Sequence, residues 1–333
     1  MLLGIQIIPE FGVISNIDYT RKIKFSRNYF DIPRFLTLDY RVNSITIAIA
    51  SRTITSQPTQ EQLQPIPDLS NPILINTGNP DLLPQVTNTI NLQLIYLRKK
   101  TGNNMRIALG YLWLNNAIVA SRNILPGGIQ KISYANVQGN YSFDGFLGYQ
   151  FVLGNAKIGH ATIGSLLNVK HDISLFNQLP NETLGLTFGP SVSVKYNASE
   201  KLRVELLENL TYTSSIYGKQ TKTSTRQVNQ SYSCTISYEL PAGMQIAVAN
   251  AQQFHGAIGA TPGNSLSILN ASFIKNVLPN SRGEIRLIAV DLFDKGKGFS
   301  QSFKGNVFES STINSLGRQI MLVCSYYFQQ KKK

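Results

Sequence analysis

Apolar and polar side chains alternate with a period of two along much of this 333-residue chain. The clearest stretch is 184–196, where one parity carries Leu184, Leu186, Phe188, Val192, Val194 and Tyr196. The other parity carries Thr183, Gly185, Thr187, Gly189, Ser191, Ser193 and Lys195. Because successive side chains of a β-strand point to opposite faces, the pattern predicts a strand with one apolar face and one small, polar face.

The segments 201–216 and 227–239 repeat this alternation. Glu208 interrupts the apolar parity of the first of them, and the sequence offers no explanation for it. The predicted strands run to about 10 to 17 residues, whereas strands of globular proteins average about 5 or 6. Since a strand needs about 9 to 11 residues to cross the hydrocarbon layer of a membrane, length and alternation together favour a transmembrane β-barrel.

Fourteen such strands are predicted, and the joins between them alternate in length. The strands lie near 2–18, 34–41, 45–54, 87–98, 105–121, 136–152, 156–169, 183–196, 201–216, 227–239, 244–254, 265–275, 284–292 and 316–328. Short joins lie near 42–43, 99–104, 153–155, 197–200, 240–243 and 276–283. Long joins lie at 19–33, 55–86, 122–135, 170–182, 217–226, 255–264 and 293–315. Bacterial outer-membrane barrels have short periplasmic turns and long outer loops, so the 55–86 join is predicted to be a long extracellular loop.

Aromatic residues fit the same architecture. The last predicted strand places Ile320, Leu322, Cys324, Tyr326 and Phe328 on one parity, close to the end of the chain. Tyr196, Tyr212, Tyr238 and Tyr326 lie near predicted strand ends, where the aromatic girdles of membrane barrels are found. We therefore predict an all-β, antiparallel, up-and-down transmembrane β-barrel that occupies residues 1–333 as a single domain.

Composition narrows the class of protein further. Charged residues make up 15% of the chain, against about 25% in soluble proteins, and the mean hydropathy is −0.07. No segment approaches the 18 or more apolar residues of a transmembrane helix. The first residues, MLLGIQIIPEFGV, lack the basic region and the cleavage site of a signal peptide, so no export signal is predicted here.

The net charge of +13 is partly local. Basic residues cluster at Arg21, Lys22, Lys24 and Arg27, at Arg98, Lys99 and Lys100, and at Lys331 to Lys333. Scarcity of acidic residues in loops and lumen explains this balance more simply than a dedicated anion site, and both interpretations stay open. No basic helix or known nucleic-acid motif accompanies the charge, so nucleic acid is not an expected partner.

The 55–86 loop contains the most specific sequence motifs of the chain. PTQEQLQP at 58–65, NP at 71–72 and GNPDLLPQ at 78–85 resemble an outer-loop signature of the outer-membrane β-barrel family of Bacteroidota, which is similar to TonB-dependent receptors. Gln85 stands where that family usually has Glu. VDLF at 290–293 and LGR at 316–318, followed by the closing strand, resemble the tail of the same family.

The resemblance implies a protein of the outer membrane of Gram-negative cells that takes up nutrients. Such receptors have a signal peptide, a plug domain and a barrel of about 22 strands. This chain would then be the C-terminal part of the barrel, without plug or signal peptide. The implied partners are outer-membrane lipid, a plug domain and the TonB energy-coupling system from sequence outside this chain, and a surface lipoprotein.

Residues with catalytic or metal-binding chemistry are few. His160, His171 and His255 form no metal-ligand spacing, and His171-Asp172 falls in a predicted loop. Cys234 and Cys324 lie on apolar parities inside strands and are expected to be packing residues rather than a disulfide. The sequence contains no nucleophile elbow and no phosphate-binding glycine loop. We therefore expect no enzyme, no catalytic or metal site and no cofactor, and we assign no ligand-binding residues.

Three functions remain open at this point. The first is a receptor or transporter barrel of the TonB-dependent type, as the loop words imply. The second is a passive or structural outer-membrane barrel, such as a porin or an anchor, which needs no plug. The third is a secreted β-rich adhesin, which would keep the alternation but be stable in plain buffer. Fourteen strands can close a barrel, but a parent with about 22 strands would make this chain a partial one.

Overall fold

The computed structural model describes residues 2–18, 23–154, 158–218, 223–258, 262–278, 282–304, 307–314 and 317–328. Arg21, Lys22 and Lys331 to Lys333 lie outside these ranges, as do the first residues of the strands predicted at 156–169 and 316–328. No helix among the described residues is long and apolar enough to span a bilayer.

The described residues form 22 strands, one α-helix and one 3₁₀ turn. The first eleven strands are β1 (Leu2–Ile7), β2 (Glu10–Asp18), β3 (Ile23–Asp31), β4 (Arg34–Val42), β5 (Ile45–Ser56), β6 (Asp68–Asn71), β7 (Leu74–Asn76), β8 (Gln85–Leu97), β9 (Asn104–Asn115), β10 (Ala117–Ile124) and β11 (Gln130–Val137). The others are β12 (Tyr141–Val152), β13 (Gly159–Phe176), β14 (Leu179–Asn197), β15 (Leu202–Tyr217), β16 (Thr223–Leu240), β17 (Met244–His255), β18 (Asn264–Asn276), β19 (Gly283–Val290), β20 (Lys297–Lys304), β21 (Val307–Asn314) and β22 (Gln319–Tyr326). Helix α1 is Gln60–Leu63, and the 3₁₀ turn is Pro126–Gly128.

Fourteen of these strands form one antiparallel, up-and-down meander. Each pairs with the next in the order β1, β4, β5, β8, β9, β12, β13, β14, β15, β16, β17, β18, β19, β22. Strands β6, β7, β10 and β11 join the same sheet at one end, whereas β2–β3 and β20–β21 form separate hairpins. The predicted all-β, up-and-down architecture is confirmed. Each of the fourteen predicted strands corresponds to one strand of the meander, which is part of an 18-stranded sheet.

Three of the predicted strands were wrong in extent, because each contains a break that alternation does not reveal. Pro9 separates β1 from β2 within 2–18, since proline has no N–H to donate to a neighbouring strand. Asn116, with φ of 53°, separates β9 from β10 within 105–121. Gly139, with φ of 101°, separates β11 from β12 at the start of 136–152. A positive φ interrupts the extended backbone of a strand.

The two ends of the meander differ as the sequence predicts. At one end the strands are joined by short connections at 43–44, 98–103, 153–158, 198–201, 241–243 and 277–282. At the other end, however, most of the predicted long loops were wrong as loops. Strand β3 occupies most of the described part of 19–33, the β10–β11 hairpin most of 122–135, and β20 and β21 most of the described part of 293–315. The segment 170–182 continues β13 into β14 through a turn at Asn177 and Gln178. Both turn residues have positive φ, 48° and 65°, which suits a two-residue hairpin.

The two faces of the meander have opposite chemistry. The apolar parity of β14 is the more exposed one, with Leu184 41% and Phe188 47% exposed. The polar parity between them is half-buried, and Gly189 is buried. Within the described residues only Leu63, Leu82, Ala117, Tyr217 and Ile258 are buried hydrophobic residues. A soluble protein of this size would bury far more apolar surface, so the sheet places its apolar residues outside and its polar residues inside.

Six tyrosines mark the short-turn end of the outer face. Tyr196, Tyr238 and Tyr326 lie within two residues of that end of their strands, as predicted. Tyr40, Tyr96 and Tyr149 occupy matching places on β4, β8 and β12. Tyr212 was wrongly placed at a strand end, because β15 continues to Tyr217. A tyrosine ring at this level is typical of an interfacial girdle.

The meander is open between its first and last strands. Among the described residues, β1 pairs only with β4, and β22 pairs only with β19. The apolar side chains at both edges are more exposed than those within the sheet, with Ile5 at 68% and Leu322 at 68%. Because the number of meander strands is even, β1 and β22 run in opposite directions.

The two faces generate a stability prediction for adjacent residues of β14. Val192 is on the apolar face and Ser193 is on the polar face. We expect Val192→Arg to lower the free energy of unfolding in lipid vesicles by about 2–4 kcal/mol, since it places a cation against hydrocarbon. Ser193→Arg should cost much less. Urea titrations of both variants measure the difference, and equal losses would contradict the assignment of the faces.

Candidate functional site

Residues 57–84 and the β10–β11 hairpin together form a compact cap at the long-loop end of the meander. Helix α1 starts the cap with a capping box. The Gln62 amide N–H donates to Thr59 Oγ1 at 3.2 Å, and the Thr59 N–H donates to Gln62 Oε1 at 2.9 Å. The motif PTQEQ at 58–62 therefore begins a single helical turn, with Thr59 as its N-cap.

Two leucines form the centre of the cap. Leu63 is 1% exposed and Leu82 is 0% exposed, and they are the largest fully buried side chains described. Burial of a leucine side chain contributes about 1.5–3 kcal/mol. The 55–86 segment, predicted as an ordered extracellular loop, is thus folded around a small apolar core of its own.

Both Asn-Pro words of the segment are turns. Asn71 Oδ1 accepts from the Ile73 N–H at 3.1 Å, and Asn79 Oδ1 accepts from the Asp81 N–H at 2.9 Å. The intervening proline has no N–H, so each asparagine side chain bonds to the residue two positions on. This geometry explains why asparagine precedes proline at both places.

Gly78 allows the two halves of the segment to touch. Its N–H donates to Gln64 O at 2.8 Å. A Cβ at this position would lie 2.5 Å from Gln64 N and O and 2.7 Å from Glu61 O. Because these are backbone atoms that cannot move aside independently, glycine is required here.

Asn136 fastens the segment to the β10–β11 hairpin. Its Oδ1 accepts from the Leu83 N–H at 2.7 Å, and its Nδ2 donates to Leu83 O at 2.9 Å and to Asn116 O at 2.8 Å. Nearby, Gln85 Oε1 accepts from the Ile118 N–H at 3.1 Å. A glutamate carboxylate could accept the same bond, so the departure from the family word at Gln85 is structurally conservative.

The cap encloses a cleft of 820 Å³. Glu61, Asp68, Asn76 and Tyr134 are among its lining residues, and no lysine or arginine is among the described residues that line it. Hydrogen bonds from the backbone and hydroxyl of Ser70 lower the pKa of Asp68. Burial, and next the charge of Glu61, raise the pKa of Tyr134. At neutral pH the cleft therefore offers carboxylates and amides together with a protonated phenol, a set that suits neutral hydroxylated ligands or cations.

The histidines are not brought together. His171 lies in strand β13, so its assignment to a loop was wrong; the strand continues because β13 and β14 remain paired up to Phe176. Its Nδ1 is 2.8 Å from Gly139 O, and its Nε2 is 3.7 Å from Glu182 Oε2. Asp172 pairs with Lys170 at 2.7 Å rather than with its neighbour. His160 and His255 are at the short-turn end of β13 and the far end of β17.

Metal ligands are likewise not clustered. The described residues contain no group of three His, Cys, Asp or Glu side chains that could hold a metal ion. Cys234 and Cys324 are both free thiols, half-buried and exposed respectively.

Sequence reasoning did not find Tyr134, Asn136 or Asn116 as parts of the site. Tyr134 and Asn136 lie more than 50 residues from the loop residues that they contact, and Asn116 contacts Asn136. No local sequence pattern indicates pairing over such a distance. The parallel pairing of β7 with β11, which brings them together, is equally long-range. Among these three residues, only Asn116 has a residue type that fits its local backbone. Its φ is positive, at 53°, and asparagine tolerates such a φ better than most residues.

A protein-family model described as "Outer membrane protein beta-barrel family" matches residues 13–163, which include the cap and the meander strands from β4 to β12. The chain is an outer-membrane β-barrel protein. Its apolar outer face therefore contacts lipid, and its short turns lie at the periplasmic side. No curated protein matches the chain.

The solved structures that match the chain include a channel for monoaromatic hydrocarbons and two toluene transporters. A deletion mutant of the TodX monoaromatic hydrocarbon channel matches with a TM-score of 0.33 and 9% identity, over 97% of this chain and 88% of that one. The toluene transporter TodX of Pseudomonas putida gives 0.30 and 10%, over 97% and 87%. The toluene transporter TbuX of Ralstonia pickettii gives 0.26 and 9%, over 98% and 88%.

The close approach at Gly78 predicts that the cap can be loosened without harm to the barrel. We expect Gly78→Ala to destabilise the cap by about 1–3 kcal/mol, because the added Cβ must push backbone apart. Limited proteolysis of folded protein in detergent should then cut within residues 57–84. Gly185→Ala is the matched control, since its Cβ would meet nothing closer than 3.8 Å. A protease-resistant Gly78→Ala variant would contradict the packing described.

Proposed function

We propose that this outer-membrane barrel is a passive channel for small hydrophilic solutes, with the cap narrowing its outer mouth. The supporting observation is the chemistry of the inner face. Hydroxyl and small side chains line it on β14, β16 and β17, as with Thr187, Ser231 and Ala249. Water and polar solutes can pass along such a surface, whereas a barrel that serves only as an anchor has no need of it.

Several charges on the inner face form ion pairs. Across β14, β15 and β16, Lys195 Nζ lies 3.5 Å from Glu205 Oε2, and Arg203 Nη2 lies 3.8 Å from Glu239 Oε1. On β19, Arg286 contacts Glu284 at 2.7 Å. Paired charges of this kind keep the wall hydrated, which suits the passage of polar solutes.

The cap belongs to the same proposal because of its position. It is joined to the meander through the ends of β5, β8, β9 and β12, at the long-loop end. Parallel pairing of β10 with β13, at Ser121 and Arg122, ties it to the neighbouring hairpin as well. A folded element fixed at several strands can restrict passage without having to move.

A second candidate is the uptake of nutrients as the barrel part of a TonB-dependent receptor of Bacteroidota type. It is favoured by the loop words at 58–65 and 78–85 and by the cleft that they build. In that role the cap binds cargo, and a plug domain, the TonB system and a surface lipoprotein are the partners. Neither candidate includes a catalytic step. Uptake that stops when the proton-motive force is collapsed, in cells carrying the full gene, would favour the receptor over the channel.

A channel needs a closed wall, so the proposal requires that the edge strands β1 and β22 pair with each other, and this pairing can be tested. Leu3 and Cys324 are both on the apolar face near the periplasmic end of β1 and β22. If these strands pair, oxidation of a Leu3→Cys, Cys234→Ser variant should form a disulfide with Cys324. Ile7→Cys, at the far end of β1, is the control. Failure at both Leu3→Cys and Ile5→Cys would mean that further strands stand between the edges, which favours the larger receptor barrel.

Conduction itself can be measured with purified, folded protein in liposomes. We expect the vesicles to swell in small sugars, and to swell faster when residues 58–83 are replaced by a short Gly-Ser linker, since the mouth is then unobstructed. Val192→Arg protein, which should insert poorly, controls for leaks caused by adsorbed protein. Impermeable vesicles that contain correctly folded barrels, with and without the cap, would refute the channel.

A further inference from the structure

A carboxylate stands in the middle of the lipid-facing surface. Glu208 lies between Leu206 and Leu210 on the outer face of β15, and its side chain is exposed. It is six residues from the periplasmic end of the strand. At about 3.3 Å per residue and a tilt of about 40°, this places it about 15 Å from that end, near the middle of a hydrocarbon layer about 30 Å thick. An ionisable residue at that depth facing lipid is costly and rare.

The strand's own neighbours satisfy only part of this carboxylate. Gln230 Nε2 donates to Glu208 Oε1 at 2.6 Å, and Tyr232 stands directly opposite on β16. An ionised carboxylate has two oxygens and about four acceptor sites, so one strong bond leaves most of its capacity unused. In hydrocarbon no water is present to complete it.

Two further residues share the depth of Glu208 on the next strands. Cys234 on β16 and Asn250 on β17 each lie six residues from the periplasmic end of their strand. They are direct cross-strand neighbours, and Cys234 also pairs with Leu206, so all are on the outer face. Glu208, Cys234 and Asn250 therefore form a level row, which we name the lateral row. It has an acceptor at one end, a small residue in the middle and an amide at the other end. The Asn250 Nδ2 also donates to Ile268 O at 3.5 Å, so one of its two N–H groups is left for a partner.

We propose that the lateral row is the contact surface for a second copy of this chain in the membrane. Both copies insert in the same direction, so the two-fold axis that relates them runs along the membrane normal. An axis through Cys234 exchanges the ends of the row and places Glu208 of each copy opposite Asn250 of the other. The donor and acceptor chemistry is then complementary in both halves of the contact.

Self-complementarity is what selects a second copy over another membrane protein. The row carries an acceptor and an amide donor on the two strands that flank its central residue. Asn250 is directly opposite Cys234, and Glu208 is two residues beyond Leu206, the partner of Cys234 on β15. A two-fold contact needs a donor and an acceptor on opposite sides of its centre, and a contact with an unrelated surface does not. Gln252, one step above Asn250 on the same face, adds a second amide. The small side chain of Cys234 allows the two outer walls to approach closely.

The native cysteines provide a direct test in lipid. In a Cys324→Ser variant, Cys234 is the only thiol, and it lies on the proposed axis. Copper-phenanthroline oxidation of this purified variant in liposomes should yield a covalent dimer. The yield should persist when the lipid-to-protein ratio is raised, because a specific pair survives dilution and random collisions do not. The Cys234→Ser variant, which keeps Cys324, should give no such product.

Glu208 itself is tested in the Cys324→Ser background. Glu208→Leu should lower the yield of cross-linked dimer about tenfold, since hydrogen bonds between membrane segments contribute about 1–2 kcal/mol. Glu208→Gln keeps hydrogen bonding and should retain most of the dimer. Glu205→Leu, three residues away on the inner face, is the matched control and should leave the yield unchanged.

Folding of every variant is checked by its shifted mobility on unheated detergent gels, so that loss of dimer is not confused with loss of the barrel. A folded Cys324→Ser variant that gives no dimer, or one whose dimer disappears on lipid dilution, would overturn the proposal. So would equal yields from Glu208→Leu and the parent. Solute conduction in the same vesicles is a separate readout, so the fate of the proposed channel does not decide this result.

Discussion

Every backbone N–H and C=O group that enters a bilayer must find its partner within the protein, because hydrocarbon offers none. In this barrel that requirement is met by lateral pairing, from β4 through β19, with each strand bonded on both sides. The side chains of the membrane strands then do not have to form an apolar core. This freedom explains why the chain has so few buried hydrophobic residues and why its apolar positions point outward.

The same constraint explains what could be predicted from the sequence. The alternation at 184–196 and 201–216 identifies strands because nearly every lipid-facing position is apolar, so the period of two is clear. Glu208 is an exception. Outside the membrane, strands need not alternate apolar and polar residues, so the period of two no longer identifies them. The sequence therefore predicts loops at 122–135 and 170–182, although the backbones of these hairpins are paired like those of the membrane strands.

The candidate site was only half visible to sequence reasoning. The motifs at 58–65 and 78–85 identify the segment that folds into the cap. The contacts of Gly78 and Asn79 explain why glycine and asparagine stand at these positions. Their counterparts, Tyr134 and Asn136, could not be found, because a contact between elements more than 50 residues apart leaves no trace in local pattern. The histidine positions added nothing to the assignment, since the fold does not bring His160, His171 and His255 together.

The cap also has a meaning for how such a protein can change over generations. Its small core of Leu63 and Leu82 is separate from the wall, and residues 57–84 are attached to β10–β11 by backbone groups and by Asn136. Replacements on the cleft surface therefore leave the pairing of the membrane strands untouched. Selection can alter the chemistry of the cleft while the wall, which lipid constrains more strictly, keeps its sequence pattern.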